Sequence, residues 1–348
     1  MSKTDLIMDA LDQRVERRNE RRNFFKLGGG FAVGAVGGAV LGACSSSSDT
    51  AIAQNPPAGA VNLDVEILNF ALQLEYLEAQ FYSFAAFGTG LPQSSLSGAG
   101  TQGAVIGGRQ VAVSDPRVRR YANEIAADEI AHVNFLRTAL GTATVAQPAI
   151  DVGVTATSAF SNAARAAGLI GAGAAFDVYA SDENFLLGAF IFEDVGVTAY
   201  KGAAPLLTNK TFLEAAAGLL AVEAYHAAIV RTTLYGKGID VPSLRTSADA
   251  ISRARDSLDG GGANTTIFGP NDIDQGISSY STTPINLATT QAAVTVSNIV
   301  PLDTDGVAYS RSVSQVLNIV YLNSGAASAG GFFPTGMNGN IKTSTAAA

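Results

Sequence analysis

Glu129-Ile130-Ala131-His132 returns ninety-four positions later as Glu223-Ala224-Tyr225-His226. The chain has only two histidines, and each stands three residues after a glutamate. Glutamate is sparse beyond residue 43, so this double coincidence arises by chance roughly once in a thousand such chains. On a helix, positions i and i+3 are about 60° apart around the axis and about 4.5 Å apart along it, so one metal ion can touch both side chains.

Each pair follows a helix-forming stretch that carries a glutamate in apolar company. In the first stretch Glu75 interrupts a stripe of Leu68, Ala71, Leu72, Ala79, Tyr82 and Ala86 at three-to-four spacing. In the second, Glu193 directly follows the apolar run from Phe185 to Phe192. A buried lone carboxylate costs several kcal/mol unless it is paired or binds metal; the bland alternative is a boundary side chain that reaches water. Tyr82 stands seven residues after Glu75, and Tyr200 seven after Glu193. The order lone Glu, then Glu-x-x-His, thus occurs twice and predicts a pseudo-twofold arrangement. One carboxylate-imidazole pair from each of two helices, with a lone glutamate from each of two others, is the inward ligand set of a di-metal four-helix bundle.

Helix signals agree with four long elements. Asn62 caps the first, and Ser114-Asp115-Pro116 opens a second that runs to Leu140 before Gly141. Ser181-Asp182-Glu183 opens a third to about Ala203, and Thr208-Asn209 a fourth to Tyr235, with Gly236 and Gly238 as its stop. Glu78 lies near the Glu75 face, as a further ligand or a group behind the ligands. Asp128, four before His132, and Glu124, four before Asp128, are further groups able to orient the site. Tyr82 and Tyr200 are either hydrogen-bond donors at the site or ordinary core aromatics.

With these motifs in place, the stretch 68–82, LNFALQLEYLEAQFY, resembles the ferritin-like superfamily, and within it the exported branch that includes plant desiccation-related proteins. The resemblance covers about residues 62–236. It implies an all-α, up-down four-helix bundle with a ligand set of Glu75, Glu129, His132, Glu193, Glu223 and His226. Two divalent ions, Fe or Mn, would balance four carboxylates and two neutral imidazoles, and a mixed Glu/His set suits these metals better than Ca or Mg. The loop from Gly88 to Val113 is longer than in ferritins, and a single cysteine leaves no place for a rubredoxin-like knuckle.

The flanks carry other signals. Arg21-Arg22-Asn23-Phe24-Phe25-Lys26 resembles a twin-arginine export motif, followed by a glycine-rich apolar run. Leu41-Gly42-Ala43-Cys44 resembles a lipobox, and Cys44 is the only cysteine of the chain. The resulting organisation is a signal peptide at 1–43, a tether at 44–61, the bundle at 62–236, and a C-terminal extension at 237–348 packed on the bundle. Export implies the twin-arginine translocase as a partner, and a lipid at Cys44 implies a protein anchored to the periplasmic or envelope membrane and not spanning it. The net charge of −8 argues against nucleic acid as a partner. The tether and extension leave little reason to expect a closed cage. In the extension, Ser247 to Leu258 and Ser312 to Tyr321 read as helices, the second opened by a capping box. Phe332-Phe333 reads as an anchor of the tail to its own domain.

Two functional readings follow. In one, the metals act on oxygen, peroxide or the metal ion itself. In the other, the protein is a non-enzymatic metal-binding or structural envelope protein linked to stress and desiccation tolerance.

Overall fold

The computed structural model describes residues 62–260, 273–282, 293–303 and 305–347. The export motif, Cys44 and the tether lie outside them. Four long helices form the bundle: α1 (Leu63–Phe87), α2 (Pro116–Leu140), α4 (Asp182–Ala203) and α5 (Lys210–Asp240), with the short α3 (Ala159–Ala166) between the two pairs. The first two pack against each other, as do α4 and α5. The expected all-α four-helix bundle is therefore present, and among the described residues the strands form two small two-stranded sheets.

Each long helix starts where a polar side chain satisfies its free N–H groups. The side chain of Asn62 accepts from Asp64 N, that of Asp115 from Arg117 N, that of Ser181 from Asn184 N, and that of Asn209 from Thr211 and Phe212 N. A second set of contacts ties the pairs together. Buried Asp64 accepts from Thr208 N, Thr208 Oγ1 and Asn209 N, at the start of α5. Buried Asp182 accepts in the same way from Ser114 N, Ser114 Oγ and Asp115 N, at the start of α2. These two aspartates each precede a lone glutamate by eleven residues. The sequence repeat therefore extends further than the Glu-and-Tyr pattern shows.

The fourth helix differs from expectation. It passes through Gly236 and Gly238 and ends at Asp240. Gly238 serves close packing: a Cβ there would lie 2.4 Å from Arg245 Cγ on the next helix. The last turn of the bundle thus falls beyond residue 236. Helix α6 (Ser243–Asp259) begins four residues before the expected Ser247. In the long loop after α1, which shows no period, β1 (Val105–Gly107) pairs in parallel with β2 (Ile150–Val152), so the two inter-helix connections brace each other.

The extension packs on α4 and α5. Helix α6 contacts both, and α7 (Val313–Val320), opened by the Ser312/Gln315 capping box, contacts α4 and α6. A hairpin of β3 (Tyr280–Thr282) and β4 (Val294–Val296) lies between them in sequence. Phe332 is fully buried against the rings of Phe160 and Phe192. A second tie is ionic. Buried Arg255 bonds Asp194 and Asp274, Arg231 bonds Asp194, and Arg311 bonds Asp259 and Asp274. Arg231 also donates to the carbonyls of Gln275, Gly276, Asn298 and Ile299, so one α5 side chain pins two loops of the extension. Buried charges are tolerated only when paired and hydrogen-bonded, as these are.

Candidate metal centre

The bundle axis carries seven buried ionisable side chains: Glu75 and Glu78 from α1, Glu129 and His132 from α2, Glu193 from α4, and Glu223 and His226 from α5. One ligand atom from each of Glu75, Glu129, His132 and Glu223 falls within 4.8 Å of the others, so these four could hold a metal ion. Glu193 and His226 join them through Glu129. His226 Nδ1 is 3.0 Å from Glu129 Oε1 and 3.8 Å from Glu193 Oε2. His132 Nδ1 is 3.1 Å from Glu75 Oε2, 3.5 Å from Glu129 Oε2 and 3.8 Å from Glu223 Oε1. The two oxygens of Glu129 thus face different histidines, and the imidazole rings lie 6.1 Å apart with 29° between their planes.

The tyrosines are crossed between the halves. Tyr82 of the first half donates to Glu193 of the second, and Tyr200 donates to Glu75. Each hydroxyl occupies one oxygen of a lone glutamate and leaves the other directed at a histidine. Asp128 sits beside the histidine of the opposite helix: its Oδ2 is 3.2 Å from His226 Nε2. With Nε2 held there, Nδ1 of His226 is the nitrogen turned to the carboxylates. Glu124 is exposed and takes no part. Glu78 is buried beside the cluster, where the charges of Glu129, Glu193 and Glu75 act on it.

The polar atoms left over are informative. Both oxygens of Glu129, both of Glu223, Glu193 Oε2 and His226 Nδ1 are buried without a hydrogen-bond partner. Native interiors leave few such atoms, and several converging in one place ask for an ion. The residues therefore fit a metal, by the chemistry of the donors and by their unmet valence. Gly196 makes room for this: a Cβ on it would lie 2.3 Å from Glu223 Oε2. Sequence reading gives Gly196 no role and takes Asp64 and Asp182 only as carboxylates at helix starts. Aligning the two halves on Glu75 and Glu193 exposes all three, because Gly196 falls opposite Glu78.

Without metal the site must hold protons. Burial, helped by the negative charge of Glu129, lifts Glu75 to about 7. Burial likewise lifts Glu193 to about 8, and raises Glu78 and Glu223 well above the usual carboxylate range. Burial also opposes charge on the histidines, but Glu75 and Glu129 outweigh it and lift His132 to about 11. His226 rises to about 9 against the same burial, through Glu129 and Glu193. Glu129, pushed up by burial, is held down at about 2 by the two imidazoles on either side. Below about pH 7 the metal-free core is thus one carboxylate between two imidazolium rings, with burial favouring the neutral form of the other carboxyls. A bound metal would displace protons here and take their place as the positive charge.

Comparison with known proteins places the chain. A family model described as a ferritin-like domain matches residues 63–236. The "Ferritin-like catalase Nec2" of Nesocodon mauritianus is 28% identical over 292 residues, covering 81% of this chain and 86% of that protein. The "Desiccation-related protein PCC13-62" of Craterostigma plantagineum is 34% identical over 177 residues, covering 51% of this chain and 55% of that protein. The chain thus spans only about half the length of the second relative. No solved structure matches. The alignment with the first relative runs well past the bundle, so the extension is shared at least in part. A bundle with Glu-x-x-His on α2 and again on α5, and a family match over those same helices, make this chain a member of the ferritin-like domain family, related to its desiccation-related branch.

Proposed function

We propose that the protein binds two Fe or Mn ions through Glu75, Glu129, His132, Glu193, Glu223 and His226, and uses them to disproportionate hydrogen peroxide, two molecules giving two of water and one of dioxygen. The observation that carries this reading is the convergence of unpartnered carboxylate oxygens between two histidines. Similarity to a ferritin-like catalase over most of its length supports peroxide as the substrate. When bound, the metal pair supplies the two-electron redox couple that peroxide chemistry needs and that no side chain here offers.

The protein's own groups do the rest. Glu129 and Glu223, whose buried oxygens lack a hydrogen-bond partner, would hold the ions. Tyr82 and Tyr200 fix the lone glutamates, and Asp128 fixes His226. Glu78 is a buried carboxyl beside the centre, able to give and take the proton that peroxide cleavage moves. The apolar shell of α1 and α4 keeps bulk water away. The test is to strip the protein, reload it with Mn²⁺ or Fe²⁺, count the ions, and follow oxygen evolution from peroxide. Two ions per chain with turnover are expected; two ions with none would leave the second reading, a non-enzymatic metal-binding protein of desiccation or stress. That reading draws support from the 34% identity to a desiccation-related protein.

The N-terminal signals add a location. The reading is export of the folded, loaded protein by the twin-arginine translocase, followed by lipid attachment at Cys44 and residence on the periplasmic or envelope membrane. A Cys44→Ser variant recovered in the soluble periplasmic fraction, with wild type in the membrane fraction, is the expected outcome.

A further inference from the structure

Beside the metal centre lies a cavity that the chemistry above does not use. It is bounded by α1, α4 and the extension, with Leu77, Glu78, Val195, Gly196, Ile319 and Phe332 among its walls. It leaves about 20 Å³ for the centre of a water-sized molecule, room for one small molecule and little more. Apart from Glu78, every side chain that lines it is apolar. Gly196 forms part of its wall, and on the side where a Cβ would stand the Glu223 carboxylate fills the space. Its roof is supplied by α7 and Phe332, parts of the extension and not of the bundle.

The composition of the walls selects the occupant. A buried water needs two to four hydrogen-bond partners, and this cavity offers one side chain. Hydrogen peroxide, with two hydroxyls, is worse served still. Dioxygen asks for no hydrogen bond and fits a space of this size. The repeat makes the two sides of the site unequal here: Gly196 stands where the other half carries Glu78, and both line the cavity, from α4 and α1.

We propose that this cavity is a dioxygen site, a small apolar compartment beside the metal centre that the C-terminal extension lines on one side. The inference rests on the peroxide reading only for why O₂ should be there, as its product. Its test therefore uses metal-free protein, where no turnover occurs. Methyl groups are observed by NMR under O₂ pressure, whose paramagnetism speeds relaxation of nearby nuclei. The methyls of Leu77, Val195 and Ile319 are expected to show at least threefold greater O₂-induced relaxation than the equally buried methyls of Leu234 and Ile251, remote from the cavity. Ile319→Phe should fill the space and bring Leu77 and Val195 down to the remote level. Ile319→Ala, which widens it, should keep or increase the effect and guards against misreading a misfolded Phe variant. Equal relaxation at near and remote methyls, no response to Ile319→Phe in a folded protein, or an ordered water in the cavity of a high-resolution crystal would each overturn the proposal. Failure of turnover with Mn or Fe would overturn the peroxide reading and leave this result standing.

Discussion

Removing the metal should make the protein's stability fall as the pH rises. Glu75 is the group from which the size can be worked. Its carboxyl, 1% exposed, titrates at about 7 in the folded metal-free protein against an ordinary 4.5. A group whose folded value is raised contributes stability that is complete below the unfolded value and is lost as pH climbs to the folded one. At about 1.4 kcal/mol per pH unit, Glu75 alone is worth about 3 kcal/mol across the window from about 4.5 to 7. Glu193, lifted to about 8, and His132, lifted to about 11, act with the same sign and extend the window upward. Glu129, held at about 2, acts oppositely but only below pH 4.5. At roughly 2–3 °C per kcal/mol for a domain of this size, Glu75 by itself lowers Tm by roughly 6–9 °C between pH 5 and pH 8. The assay is calorimetry of chelated protein at those two pH values, beside protein loaded with Mn²⁺. Loaded protein should vary little, because the ions replace the protons. Glu75→Gln, neutral at both pH values, should flatten the metal-free slope by about the same amount. A chelated protein whose Tm is level or rises from pH 5 to pH 8, or a slope unchanged by Glu75→Gln, would refute the reasoning.

Three further outcomes follow from particular contacts. Asp128→Asn weakens the partner of His226 Nε2 and should lower metal affinity about tenfold, read by competition against a chelator, with Tm of the metal-free protein nearly unchanged. Gly196→Ala puts a methyl against Glu223 Oε2 and should reduce the bound ions below two per chain while circular dichroism stays helical; full loading would show that the carboxylate is free to move. Arg255→Ala leaves Asp194 and Asp274 buried with fewer partners and should cost about 3–5 kcal/mol in urea unfolding, whereas a loss under about 1 kcal/mol would mean the extension is held by its apolar contacts.

The bundle was legible because its chemistry breaks a pattern. A carboxylate in an apolar stripe has few explanations, and Glu75 and Glu193 stood out on that ground alone. The two histidines stood out by rarity. The rest depends on contacts between segments distant in sequence. Asp128 precedes His132 by a helical turn, and only the packing of α2 on α5 reveals that its partner is His226. Arg231, Arg255 and Arg311 look like surface charges in sequence, since charged residues are mostly exposed. Their burial is decided by acidic partners from 19 to 61 residues away, among them Asp194 and Asp274. Gly236 and Gly238 read as a helix stop because glycine often is one; here the helix continues because α6 needs the space beside Gly238. The reciprocal caps made by Asp64 and Asp182 were present in the repeat, at eleven residues before each lone glutamate, and are meaningful only once each is seen on the opposite helix pair.

The central claim is that six side chains on four helices share a pair of metal ions. Anomalous diffraction from crystals of the loaded protein, collected on both sides of the Fe and Mn edges, addresses it directly. Two peaks about 3.5–4 Å apart are expected, flanking the Glu129 carboxylate, one beside His132 and one beside His226. A single peak, or density away from these carboxylates, would contradict it.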